Sequence, residues 1–268
     1  MKKGFSGLTK EIVISFWGAV FLTALLRLII GPSFLLTHCI KYGSLIMIAI
    51  MTVFLIIPIV QLIKLRKKNT RAVRILTEEG VTPELLRIVQ ESIRDSESEE
   101  ETAASKLTMA SILSEGGFYD RCFETLAEVD FHSLSQAGQE EYFNIYVYTN
   151  LMLGDTAAAR AIYDRTSMFF DRARMRRRPM AVLHTLGVLS YAEGNIAEAE
   201  NYFMQARAAS KDKASLCDCE MFLSLCYMKE GRAPQAASAA RAAASHAVTF
   251  YQKRNVEGLR AKLEAAYS

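Results

Sequence analysis

The chain has 268 residues, 51% hydrophobic and 23% charged, and its 32 Lys+Arg against 29 Asp+Glu leave a net charge of only +3. That balance conceals a division: residues 1–74 hold 11 Lys+Arg and one acid, Glu11, for a net of +10, and residues 75–268 hold 21 and 28, for a net of −7. The acidic larger part argues against general nucleic-acid binding, which needs a basic face with stacking aromatics.

The first quarter reads as a membrane anchor. Ile12 to Ile30 is 19 residues with a single charge, Arg27, and Leu45 to Ile63 is 19 residues with none. At 1.5 Å per residue each just crosses about 30 Å of hydrocarbon. A signal peptide fits the first span less well, because no small-x-small cleavage site follows it. Lys2, Lys3 and Lys10 precede the first span, and Lys64, Arg66, Lys67, Lys68, Arg71 and Arg74 follow the second, whereas the loop from Gly31 to Ser44 carries only Lys41. The positive-inside rule then puts both termini in the cytoplasm of a two-pass cell-membrane protein. Arg27, near the outer end of its helix, snorkels to the interface. Pro58 bends the second span. The basic flank from Lys64 to Arg74 suits the anionic headgroups of the inner leaflet, so the bilayer is itself an expected partner.

Residues 75–102 read as a helical connector between the anchor, 1–74, and a repeat domain, 103–268. Thr82-Pro83-Glu84 supplies a capping hydroxyl, a proline at the first helical position and an acid near the positive end of the dipole, predicting a helix to about Arg94. The run from Asp95 to Glu101 is either a solvated linker, where the array would swing, or the acidic first turn of the next helix.

Beyond it the sequence repeats. With Gly194 as anchor of a turn between two helices, a pattern of small and bulky residues recurs around Gly117, Gly154 and Gly231, at spacings of 37, 40 and 37 residues. Leu183, Leu186, Gly187, Gly194, Ala199, Phe203 and Ala206 mark the clearest copy. The first small position is Ala110, Val147, Gly187 and Ser224 in turn, and the second is Cys122, Ala159, Ala199 and Ala236. Helices that cross closely need small residues at the crossing and bulky ones beside it. Leu126, Tyr163 and Phe203 are the bulky ones, with Ala240 in the last copy. The pattern resembles the tetratricopeptide repeat over roughly Ala103 to Thr249, although the family's closing proline is Lys211 in the clearest copy. Joined to the two apolar spans, the resemblance implies an all-α protein: a transmembrane hairpin followed by a cytoplasmic α-solenoid of about four helical hairpins and a C-terminal capping helix.

It also implies a concave face lined by the first helix of each hairpin. Carried over, that face holds Leu107 and Ser111, then Asn144, Tyr148 and Met152, then His184, Val188 and Tyr191, then Met221, Leu225 and Met228. Methionine adapts its shape and tyrosine offers both ring and hydroxyl, so the lining suits an apolar or amphipathic peptide. The carboxylate clamp that some members build from lysine and asparagine has only Asn144 to stand for it. A second contact surface is the run Arg172, Arg174, Arg176, Arg177 and Arg178 before Pro179, which is either a solvated face neutralised by nearby acids or an electrostatic contact.

Catalytic signatures do not emerge. His38, His132, His184 and His246 are scattered, with no His-Glu-x-x-His, phosphate loop or nucleophile elbow. Cys217 and Cys219, two apart on a helix, point to different sides and suit neither a disulfide nor half a zinc site. The expectation is therefore an adaptor without cofactor or metal that binds a protein or peptide. The alternative is a subunit of a transport, secretion or envelope-assembly complex, whose hairpin packs on other spans.

Overall fold

The computed structural model describes residues 70–177 and 179–267. The two expected spans, their connecting loop and Arg178 lie outside the described residues. Residues 68–268 form one compact unit. Among the described residues the fold is all-α, without strands, and no helix is long and apolar enough to cross a membrane.

Residues 70–78 are helical. Then follow α1 (Pro83–Arg94), α2 (Glu99–Glu115), α3 (Tyr119–Ala127), a short 3₁₀ turn (Phe131–Ser133), α4 (Gln136–Leu153), α5 (Thr156–Arg174), α6 (Met180–Ala192), α7 (Ile196–Ala209), α8 (Lys213–Lys229), α9 (Ala233–His246) and α10 (Phe250–Tyr267). Successive pairs, α2 with α3 through α8 with α9, are antiparallel hairpins, and each first helix also packs on the first helix of the next hairpin. The result is a solenoid of stacked hairpins.

Local chemistry sets the hairpin ends. Gly117, Gly154, Gly194 and Gly231 all adopt left-handed φ, between +72° and +84°. In the clearest copy Gly194 N donates to Tyr191 O at 3.1 Å and Asn195 N to Ser190 O at 2.8 Å, so the orphan carbonyls of the helix end are satisfied. A Cβ at these four glycines would meet nothing within 4 Å. The left-handed backbone, which costs other residues about 1–2 kcal/mol, is therefore the reason for glycine.

The four residues expected at the second small position, Cys122, Ala159, Ala199 and Ala236, are all 0% exposed. Gly187 lies against the Phe203 ring. Between hairpins a second set of contacts fixes the order. Arg160 on α5 holds Glu193 at the next turn through two hydrogen bonds. One hairpin on, Glu200 occupies the place of Arg160 and Arg232 reaches back to it. Six residues past the turn glycine the charge is thus reversed between the two junctions, Arg160 in one and Glu200 in the other.

The stretch expected as a connector is part of the same core. Thr82 caps α1 through Leu85 N at 3.2 Å, with Pro83 at its first position, and α1 ends at Arg94 as its signals predict. Ser98 caps α2, so the acidic run enters that helix's first turn rather than forming a free linker. Ile75, Leu85, Ile88 and Val89 share one buried cluster with Leu107, Ile112 and Leu113 of α2. Gly80, with φ +82°, stands 37 residues before Gly117 and turns residues 70–78 into α1. An additional hairpin thus precedes the four legible in the sequence.

Candidate functional site

The solenoid curls until its ends meet. The backbone N–H of Val81, beside the first turn, donates to the Tyr251 hydroxyl of α10 at 2.8 Å across 170 residues of chain. Curvature brings the inner surfaces of α2, α4, α6 and α8 together around Glu115, Tyr148, His184 and Asp218. These residues stand 2, 6, 10 and 13 residues before their turn glycines, so the innermost position retreats about one helical turn at each hairpin.

Their electrostatics follow from that crowding. Glu115 is open to solvent at the residue level but surrounded by the concavity, which, with the charge of Asp218, lifts its carboxyl to about 7. Burial raises Asp218 to about 6, against a hydrogen bond from Gln252 that stabilises its anion. Tyr148 is pushed well above its ordinary value by burial and then by Asp218, Tyr119 and Glu115. Burial also raises Tyr119, and Arg254 of α10 opposes that shift. His184 is held down to about 4 by burial and is neutral, with Nε2 unpartnered. Burial is the largest cause in all four of Glu115, Tyr148, His184 and Asp218, and each shift favours the neutral form, as desolvation requires. Here they offer neutral hydroxyls and imidazole beside two carboxyls that gain from a nearby cation.

The expected lining divides in two. Asn144, Tyr148, Met152, Tyr191, Met221, Leu225 and Met228 are half-buried, as is Ser111, and Asn144 Oδ1 is buried without a partner. Leu107, His184 and Val188 belong instead to the packing, at 3, 8 and 3% exposure. The His184 ring stands edge-on to Phe203 at 5.5 Å and Phe222 at 5.1 Å, with Tyr148 at 6.0 Å. Each hairpin stacks on the last, so the middle of α6 is covered by α8. Glu115, Tyr119 and Asp218 lie outside the sequence-based lining: Glu115 keeps the register of Met152, but in the first copy the expected face ends at Ser111, Asp218 stands about one turn before Met221, and Tyr119 begins α3, a second helix.

The arginine run is largely spoken for. Arg172 lies over the Phe169 ring at 4.6 Å, Arg174 pairs with Asp171 at 3.7 Å, and Arg176 holds the buried carboxylate of Glu140. Arg177 is exposed. No group of His, Cys, Asp and Glu among the described residues is arranged to hold a metal ion.

No family model matches the chain, and neither a curated protein nor a solved structure matches it significantly.

Proposed function

We infer that the protein is a membrane-tethered adaptor whose tetratricopeptide-like solenoid holds an amphipathic, cation-bearing peptide of a partner protein at the cytoplasmic face of the membrane. The observation that carries this reading is the convergence of Glu115, Tyr148 and Asp218, drawn from three separate hairpins, on one inner surface. The half-buried Met152, Tyr191 and Leu225 add adaptable apolar area around those groups. Binding rather than catalysis is the proposed role, with no cofactor. The two apolar segments, with both termini in the cytoplasm, supply the tether, and the basic flank adds attraction to anionic lipid.

Affinity capture from detergent-solubilised membranes tests it. The parent should retain a specific partner that Glu115→Lys and Tyr148→Phe lose, while Arg177→Ala, on the exposed junction, retains it. An identical retained set for the parent and both inner-surface variants refutes the groove. In intact cells, a membrane-impermeant thiol reagent should reach Cys39 and none of Cys122, Cys217, Cys219 and Cys226. Labelling of those four refutes the orientation.

A further inference from the structure

The last helix reaches well beyond the hairpin that precedes it. Residues 247–249 join α10 to α9, and α10 begins on a reciprocal cap: Thr249 Oγ1 accepts from Gln252 N at 3.2 Å while Gln252 Oε1 accepts from Thr249 N at 3.3 Å. The same side chain uses Nε2 to donate to Ala214 O and Asp218 Oδ1 on α8, both at 2.9 Å. One residue earlier, the Tyr251 hydroxyl takes the Val81 N–H at the opposite end of the solenoid. Gly80 beside it has no room for a side chain, since a Cβ would lie 2.9 Å from Tyr251 Oη and 3.0 Å from Phe250 Cδ1. Further along α10, Val256 packs with Cys217, Ala243 and Met221. The helix therefore bridges the two ends and lies over the Asp218 and Met221 portion of the inner surface.

Little else secures it. Only Gln252, Val256 and Leu259 are buried in a helix of 18 residues. Gly258 lies in its interior with nothing packed against it, which weakens the helix further. Segments with few buried apolar contacts open ahead of the rest of a structure.

We propose that α10 is a releasable strap: closed, it ties the first turn to the last hairpin and covers the Asp218 and Met221 portion of the inner surface; released, it opens that portion to a partner. This rests on the inner surface being the binding face. The apparent affinity is the intrinsic one reduced by the fraction of open molecules, and the Tyr251 hydroxyl and Gln252 amide set that fraction.

Native thiols of the full-length protein in detergent micelles report the motion. Cys217 is sealed by Val256, whereas Cys219 lies against Leu183 and Ala206, and Cys226 and Cys122 lie in clusters without α10. Burial lifts the thiols of Cys217, Cys219 and Cys226 alike to about 12, so differences among them report access. Alkylation by N-ethylmaleimide, followed cysteine by cysteine with mass spectrometry, should modify Cys217 first among the four cysteines of the solenoid. Tyr251→Phe, which loses one hydrogen bond, should speed Cys217 about tenfold, and Gln252→Ala, which loses both bonds to α8 and the cap of α10, at least as much; each should leave the solenoid's other three cysteines unchanged. If Cys217 reacts in step with Cys219 and Cys226 in the parent and both variants, α10 opens only when the solenoid unfolds and the strap is refuted. No partner enters this measurement, so it can fail while capture through Glu115 and Tyr148 succeeds, and the reverse.

Discussion

Gly187→Ala sets helix propensity against packing. In a helix interior alanine is favoured over glycine by about 1 kcal/mol, so an isolated helix would gain. In the solenoid the new Cβ would lie 2.7 Å from Phe203 Cε1 and 2.9 Å from both Cδ1 and Cζ. Relaxed carbon contacts are about 3.5–4.0 Å, so the ring must withdraw by roughly 1 Å. It has nowhere to go. Phe203 is fully buried, stacked on Phe222 at 5.0 Å and edge-on to His184. Overpacking of this kind costs about 1–3 kcal/mol, and three ring atoms rather than one flexible methyl put this site in the upper half, for a net loss of about 1–2 kcal/mol. Urea unfolding of residues 68–268, followed by far-ultraviolet circular dichroism, measures it. Phe203→Leu supplies the second arm, because a smaller side chain makes room for the added methyl. In that background Gly187→Ala should become neutral or stabilising, a coupling of about 1–3 kcal/mol. If Gly187→Ala alone matches or exceeds the parent, the ring is not held as described and the close crossing of α6 and α7 is refuted.

Acidity and chain length give two further tests. The folded-state pKa of Glu115, raised from 4.5 to about 7, contributes stability that is present below about 4.5 and lost as pH rises through 7; Asp218, raised from 3.8 to about 6, acts likewise in its own range. Glu115→Gln removes the first dependence, so its melting temperature relative to the parent should climb between pH 5 and pH 8, and a constant difference refutes the enclosed carboxyl. His184, lowered from 6.5 to about 4, acts oppositely, losing stability as pH falls from 6.5 to 4, but it is common to both proteins and cancels in the comparison. A chain beginning at residue 68 should fold cooperatively, whereas one beginning at Ala103 should be markedly less helical and less stable, because it lacks Ile75, Leu85, Ile88 and Val89 of the first core and the Val81 anchor of Tyr251. Equal melting temperatures for the two chains refute a shared core.

Much of the hairpin architecture is legible in the sequence. The glycine at each turn, the small residue five positions later and the Thr82-Pro83 helix start all act within one or two turns of helix. The earliest hairpin is not legible in the sequence although Gly80 keeps the 37-residue spacing. Val73 matches Val147 at its first crossing position, but its second is Leu85, where the four later copies hold cysteine or alanine. The interior of the site was less legible. His184 was expected on the lining because it occupies the right face of its helix, yet Phe203 and Phe222 of neighbouring helices decide that it is buried. The arginine run carried a charge signal, but only the fold shows that Arg176 reaches Glu140, 36 residues away.

The sequence by itself determined the elements and their pairing, because glycine turns, helix caps and small-residue crossings are enforced by backbone sterics and contacts a few residues apart. The tertiary structure alone decided that Glu115 faces Asp218 and that Tyr251 closes on Val81. Those encounters depend on curvature, the accumulated sum of small rotations between successive hairpins. A modest change in rotation at each junction leaves every local pattern intact and separates the two ends of the solenoid.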